Sequence, residues 1–254
     1  MLFSRPMGGE GKFPLIILHG ILGSSRNWGV AGPKLAEFFE VHAIDLPSHG
    51  SSPSLQEMTF QSMADEIIKW MDSNCFEKVF LLGHSLGGKI AMVLASNYPE
   101  RIERLIVADI IPREYPPHSL AAIEAMLALD LTTIKSRREA EALLEPVAPD
   151  LGLRKFLLTN LVRSEDQQFF WQTDLLSLRN SLQSLAQNPM GNRSPYRGGT
   201  QFLLGEYSEF VRDGDEDLIR HYFPVANIQI IQNAGHNLHF DNLPAFVDAV
   251  AGLV

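Results

Sequence analysis

Six short apolar runs, spaced along the chain with helical stretches between them, restrict what this sequence can fold into more than any other feature. PLIILHG, VHAIDL, KVFLLGHS, RLIVADI, TQFLLGE and NIQIIQNAG are each compact and rich in Ile, Leu and Val. A strand that is apolar on both faces needs cover on both, and a parallel sheet flanked by helices supplies it. The stretches between are amphipathic. TFQSMADEIIKWMDS sets Phe60, Met63, Ile67, Trp70 and Met71 on one stripe, with Thr59 positioned as an N-cap. LGGKIAMVLASNYP and NLPAFVDAVAGLV read as two more helices. Repetition of strand, helix, strand predicts an α/β domain on a mostly parallel sheet.

The alternation stops between Pro112 and Pro195. SLAAIEAMLALDL, KSRREAEALLEPV, LRKFLLTNLV and LLSLRNSLQSLAQ read as helices, prolines punctuate them, and strand character returns once, in QQFFWQT. The prediction is a core of residues 1–111 and 196–254, with a helical cap inserted over 112–195 after the strand 104–108. The insertion is near neutral, with nine basic and ten acidic residues, so the core carries most of the net charge of −9.

The strongest chemical signal is Gly83-His84-Ser85-Leu86-Gly87-Gly88, a G-x-S-x-G pattern entered by an apolar strand and left by an apolar helix. A serine hydroxyl is a poor nucleophile unless held out on a tight turn and against a base. Gly83 and Gly87 fit because a Cβ there would strike the crossing chain. A second signal is His19-Gly20-Ile21-Leu22, after the strand PLIIL. Acyl transfer needs two N–H donors for the oxyanion, and by position these are the amides of Leu86 and Ile21. A third is Gly235-His236 after the last strand, where a base can reach Ser85 from a loop at the same sheet edge. His239 is its rival but lacks a preceding glycine. His19 reads as a structural hydrogen-bonder, His49 as a loop-ordering residue near the site and His84 as pocket-lining. His42, His118 and His221 read as surface residues.

Composition narrows the partners. With 21 basic against 30 acidic residues the chain repels phosphate backbones, so neither nucleic acid nor an anionic membrane is an expected partner. No run approaches the ~18 apolar residues of a membrane span, and MLFSRPMGGEGKFP lacks the marks of a signal peptide. The single cysteine, Cys75, cannot form an internal disulfide; it reads as a small buried or half-buried residue and suits a reducing, cytoplasmic setting. No metal or cofactor is implied, because no His/Asp/Glu cluster has ligand spacing.

HG after the first strong strand, DxxxHGxS, GHSLGGK and AGH, in this order, resemble the α/β-hydrolase superfamily. GHSLGGKIAM, RIERLIVADIIP, LLTNLV, FLLGEYSEFV and NAGHNLH are most similar to the YbfF-type esterases, over nearly the full chain. The resemblance implies a seven- or eight-stranded mostly parallel sheet, a cap over the serine, and hydrolysis of carboxylic or thioesters with short or medium acyl groups. One departure is visible: DxRxHG of the family is here Asp45-Leu46-Pro47-Ser48-His49-Gly50.

The acid of the triad is open at this level. Most superfamily members carry an Asp in the loop after FLLG, where this chain has Ser208 flanked by Glu206 and Glu209. Asp109 ends an apolar strand, where a charge is costly without a partner, and His236 would be one. YbfF-type esterases take their acid from that earlier strand. Met126, Leu127, Phe156, Leu157, Leu161, Phe169, Phe170 and Trp171 are enough to line an acyl pocket, and Arg137, Arg138, Arg154 and Lys155 read as solvated charges. The expectation is a serine esterase acting on an acyl ester or thioester. A lyase or C–C hydrolase of the same fold, and a ligand receptor with a vestigial triad, are the alternatives.

Overall fold

The computed structural model describes residues 1–212 and 214–253; Val254, where the expected core ends, lies outside the described residues. The strands are β1 (Ser4–Gly8), β2 (Pro14–Leu18), β3 (Glu40–Ile44), β4 (Val79–His84), β5 (Ile102–Ala108), β6 (Leu161–Arg163), β7 (Phe169–Trp171), β8 (Thr200–Gly205) and β9 (Asn227–Ile231). Seven of them form one sheet in the order β1-β3-β2-β4-β5-β8-β9. All six apolar runs are strands of it, and every pairing among those six is parallel. β1 was not anticipated. SRPMG holds Pro6 and little apolar character, and it runs antiparallel to β3 as an edge, where a missing N–H is tolerated.

Side chains alternate across the sheet. Ile16, Leu18, Leu81, Leu105, Val107 and Phe202 face one buried cluster, whereas Leu15, Ile17, Val41, Leu82, Ile106 and Leu203 face the other. The first cluster is covered by α2 (Phe60–Ser73) and α3 (Leu86–Asn97), the second by the short α1 (Ala31–Leu35) and by α10 (Leu243–Ala251). Thr59 caps α2 as expected, accepting from the Ser62 amide at 3.0 Å. Ten of the twelve residues of α3 are buried, which is why that helix is apolar on all sides.

Between β5 and β8 lie α4 (Leu120–Leu127), α5 (Arg137–Leu144), α6 (Leu151–Leu158) and α7 (Leu175–Ala186). α8 (Asp215–Tyr222) and the single turn α9 (Leu238–Asp241) follow later. The segment between β5 and β8 is not wholly helical. β6 and β7 pair antiparallel, so LRKFLLTNLV changes from helix to strand after Leu158. Two further expectations fail. Cys75 is exposed, because it sits in a left-handed turn (φ 59°) just past α2. Arg154 is buried rather than solvated, donating to the carbonyls of Ala148 and Pro149 at 2.8 Å each.

Chain order gives the sheet a switch point. β3 and β4 flank β2 on opposite sides, so the loops after β2 and β4 leave in opposite directions and open a crevice at the strand ends.

Candidate active site

Ser85 stands at that crevice. It has φ 52° and ψ −117°, a backbone conformation that a non-glycine residue holds only under constraint. The constraint is local: its amide donates to the Ala108 carbonyl at 3.1 Å, and its carbonyl accepts from the Lys89 amide at 3.1 Å. The turn needs its glycines. A Cβ on Gly83 would lie 2.2 Å from the Gly87 carbonyl oxygen, and one on Gly87 would lie 2.4 Å from that of Leu18. Ser85 Oγ makes no hydrogen bond among the described residues, to His236 or to any other group. It faces a cavity of about 830 Å³, whose lining also includes Ile21, Leu86 and His236.

The loop after β2 lies against this turn. A Cβ on Gly20 would come within 3.3 Å of Ser85 Cβ. The amides of Ile21 and Leu86 donate to no protein group among the described residues. The loop's shape is set from behind. Leu22 adopts φ 58°, and its amide donates to His49 Nε2 at 3.3 Å. His49 Nδ1–H donates to the Pro47 carbonyl at 2.9 Å. His19 is wired alike: Nε2 accepts from the Leu46 amide at 2.9 Å and Nδ1–H donates to the Gly20 carbonyl at 2.7 Å. Asp45 accepts from the amides of Ser25 (2.6 Å) and Ser51 (2.8 Å), which gives the Asp45–Gly50 motif a loop-building role.

At the far side of the cavity His236 Nδ1–H donates to Asp109 Oδ2 at 2.7 Å. With the proton on Nδ1, Nε2 is left as the lone-pair nitrogen. Asp109 is fully buried and also left-handed, at φ 53°. Its carboxylate accepts from the Gly205 amide (2.7 Å) and from the Ser208 hydroxyl, so a buried charge is met by three donors. Ser208, where most superfamily members carry an Asp, therefore donates to Asp109. Glu206 and Glu209 are exposed; Glu206 accepts from the Asn233 amide at 2.8 Å.

Three contacts around the imidazole had no clear sequence signal. Phe210 stacks on His236, centroids 3.9 Å apart and planes within 20°. The Phe210 carbonyl accepts from Tyr115 Oη (2.9 Å) and Arg113 (3.0 Å). His84 Nε2–H donates to the His236 carbonyl at 2.8 Å. His239 turns away from Asp109, buried and stacked on Trp28 with centroids 4.3 Å apart. His118 and His221 are exposed as expected, His118 at the cavity, but His42 is half-buried in β3 beside Trp70 and Phe76.

Four of these histidines are held neutral. Burial pushes His49 and His239 down to about 3, His84 well below the ordinary imidazole value, and His19 down as well. Their folded pKa values lie below the unfolded value near 6.5, so the unfolded chain binds more protons. The stability they contribute is complete above about pH 6.5 and is lost as the pH falls below it, down to about 3 for His49 and His239. The urea midpoint is expected to drop clearly from pH 7.5 to pH 5.5; an equal midpoint at both would show that these imidazoles take up protons without unfolding.

The segment between β5 and β8 supplies much of the remaining cavity wall, with Asn27, Trp28 and Phe240 among the others. Phe156 and Leu157, anticipated as lining, are joined by Ala122, Leu153, Leu182 and Leu185. Met126, Leu127, Leu161, Phe169, Phe170 and Trp171 are not on the wall among the described residues. Lys155 reaches it, while Arg137 is spent on the Leu158 and Leu161 carbonyls.

A sequence model of the α/β hydrolase fold matches residues 14–243. The sn-1-specific diacylglycerol lipase ABHD11 of Mus musculus is 35% identical over 257 residues, a match spanning 98% of this chain and 83% of the mouse protein. Esterase YbfF of Escherichia coli (strain K12) is 28% identical over 242 residues, spanning 93% of this chain and 91% of that protein. A solved structure of a marine microorganism esterase superposes with a TM-score of 0.96 at 34% identity, covering 100% of this chain and 99% of the other. Fold, motif order and relatives agree: the chain belongs to the α/β-hydrolase fold family, as a hydrolase of the esterase and lipase type.

Proposed function

We propose that this chain is a serine esterase that hydrolyses short- to medium-chain acyl esters, oxyester or thioester, through an acyl-enzyme. Ser85 Oγ attacks the carbonyl carbon and gives its proton to His236 Nε2. Asp109 keeps the imidazole in the tautomer that accepts it and stabilises the imidazolium. The Leu86 and Ile21 amides hold the oxyanion. Collapse of the tetrahedral intermediate breaks the bond to the leaving alcohol or thiol, which takes the proton back from His236. Water, deprotonated by the same nitrogen, then releases the acid and frees Ser85. Residues 112–195 act as the cap, supplying the apolar wall for the acyl chain, and the lone exposed Cys75 suits a cytoplasmic setting.

One observation carries this reading: the Asp109–His236 pair opens onto the same cavity as a serine on a strained strand-to-helix turn. The test is a panel of p-nitrophenyl and acyl-CoA esters across chain lengths, with a diacylglycerol added because the mouse relative is named for that substrate. Turnover of short and medium esters by wild type and none by Ser85→Ala is expected. A folded wild type inert on the whole panel would overturn the esterase reading and favour the lyase, C–C hydrolase or receptor alternatives.

A further inference from the structure

Lys89 is the one buried ammonium in the cavity wall among the described residues, and the acyl-transfer steps do not use it. It sits one turn after Ser85, and its backbone amide closes that turn on the Ser85 carbonyl. Its three N–H donors all go to the C-terminal end of α7: Leu185 O at 3.1 Å, Ala186 O at 2.9 Å and Gln187 O at 2.8 Å. A helix end presents unpaired carbonyls and a partial negative charge, which a cation satisfies. The rings of Tyr115 (4.9 Å) and Phe60 (5.6 Å) flank the ammonium. Such a charge would be expensive there without those carbonyls.

α7 is also a wall of the cavity, through Leu182, Leu185 and Ala186. The opposite edge of the inserted segment is tied to the core separately. Asn160 Nδ2 donates to the Leu22 carbonyl at 2.8 Å, and the Asp174 amide donates to the Ser48 carbonyl at 2.9 Å. Past α7, Arg193 donates to Asn97 at 2.9 Å. Loss of the Lys89 contacts would thus leave the Leu185 and Gln187 carbonyls without that donor and the end of α7 held through the Tyr115 amide on the Ala186 carbonyl (2.9 Å), while the flanking ties persist.

We propose that Lys89 is a positioning residue that determines specificity: by holding the end of α7 to the helix that bears Ser85, it sets the depth of the acyl cavity. The inference deepens the esterase reading and rests on it for its substrate class. The Lys89 side chain links the nucleophile's helix to the wall that the acyl chain meets, so the wall cannot retreat without breaking its three hydrogen bonds. Methionine matches the lysine stem in length but donates nothing. Arginine keeps the charge and the donors.

The experiment compares wild type, Lys89→Met and Lys89→Arg on p-nitrophenyl butyrate, octanoate and laurate, and follows amide hydrogen exchange across α7. For Lys89→Met the ratio of kcat/KM for butyrate to that for laurate is expected to fall about tenfold, through KM for laurate rather than kcat. Exchange at the end of α7 should rise by about tenfold. Lys89→Arg should recover most of both. If Lys89→Met does not fold, Lys89→Gln, which keeps one amide donor group, is measured in the same way. A folded neutral variant with unchanged exchange and an unchanged ratio overturns the proposal. Failure of the esterase reading looks different: wild type hydrolyses none of the three esters, while exchange in α7 still reports whether Lys89 holds that helix.

Discussion

Replacing Ser85 with alanine is expected to lower kcat/KM on acyl esters by about 10⁵-fold or more, since removing the nucleophile of a triad forfeits the whole covalent route. The fold should be indifferent. Ser85 Oγ makes no internal hydrogen bond among the described residues, so its loss leaves no partner there unsatisfied. Alanine also retains the Cβ, so the strain at φ 52° neither grows nor relaxes. A Tm within about 2 °C of wild type is therefore the companion result. A fluorophosphonate should label Ser85 alone, read by intact mass and peptide mapping. An alanine variant that keeps a tenth of the activity, or a label on another residue, would remove Ser85 as nucleophile.

How much of this was readable in advance differs by element, for physical reasons. The six central strands declare themselves because burial on both faces demands unbroken apolar runs. β1 does not, since an antiparallel edge beside water tolerates Pro6 and mixed polarity. β6 hid inside a helical pattern because three residues of strand are too short to show a period. In the site, Ser85, Ile21, Leu86 and His236 follow from motif position. Phe210 does not: its stacking on His236 depends on a loop whose path is set by Tyr115 and Arg113, over 90 residues earlier in the chain. Lys89 was visible as a letter in GHSLGGK, yet its partners lie 96 to 98 residues later, and no local pattern announces them. Cys75 misled because a small apolar residue ahead of a strand is usually buried, whereas here it serves a left-handed turn.

Asp109→Asn is expected to leave the fold intact and lower kcat by about 10³- to 10⁴-fold, the upper figure being the size of the corresponding change in a serine protease. The direction follows from hydrogen-bond arithmetic. The Asp109 carboxylate receives three donors: the Gly205 amide on one oxygen, the Ser208 hydroxyl and His236 Nδ1–H on the other. An asparagine can satisfy Gly205 only with its carbonyl oxygen, because that amide donates and nothing else on the side chain accepts. Its NH₂ must then face Ser208 and His236. The Ser208 hydroxyl can rotate to accept. The imidazole can accept only by moving its proton from Nδ1 to Nε2, and a protonated Nε2 cannot take the proton of Ser85. A loss of 10⁴ corresponds to about 5.4 kcal/mol of transition-state stabilisation, far beyond the worth of one neutral hydrogen bond, which is why a tautomer error separates clearly from simple loosening. Glu206→Gln and Glu209→Gln are expected within about threefold of wild type, because both carboxylates are exposed, where charges contribute little. The comparison is kcat for the three variants on one ester, with circular dichroism to show that each is folded. Near-wild-type turnover by Asp109→Asn together with collapse of either glutamine variant would move the acid to the loop after β8, and leave the buried carboxylate of Asp109 as an anchor for that loop alone.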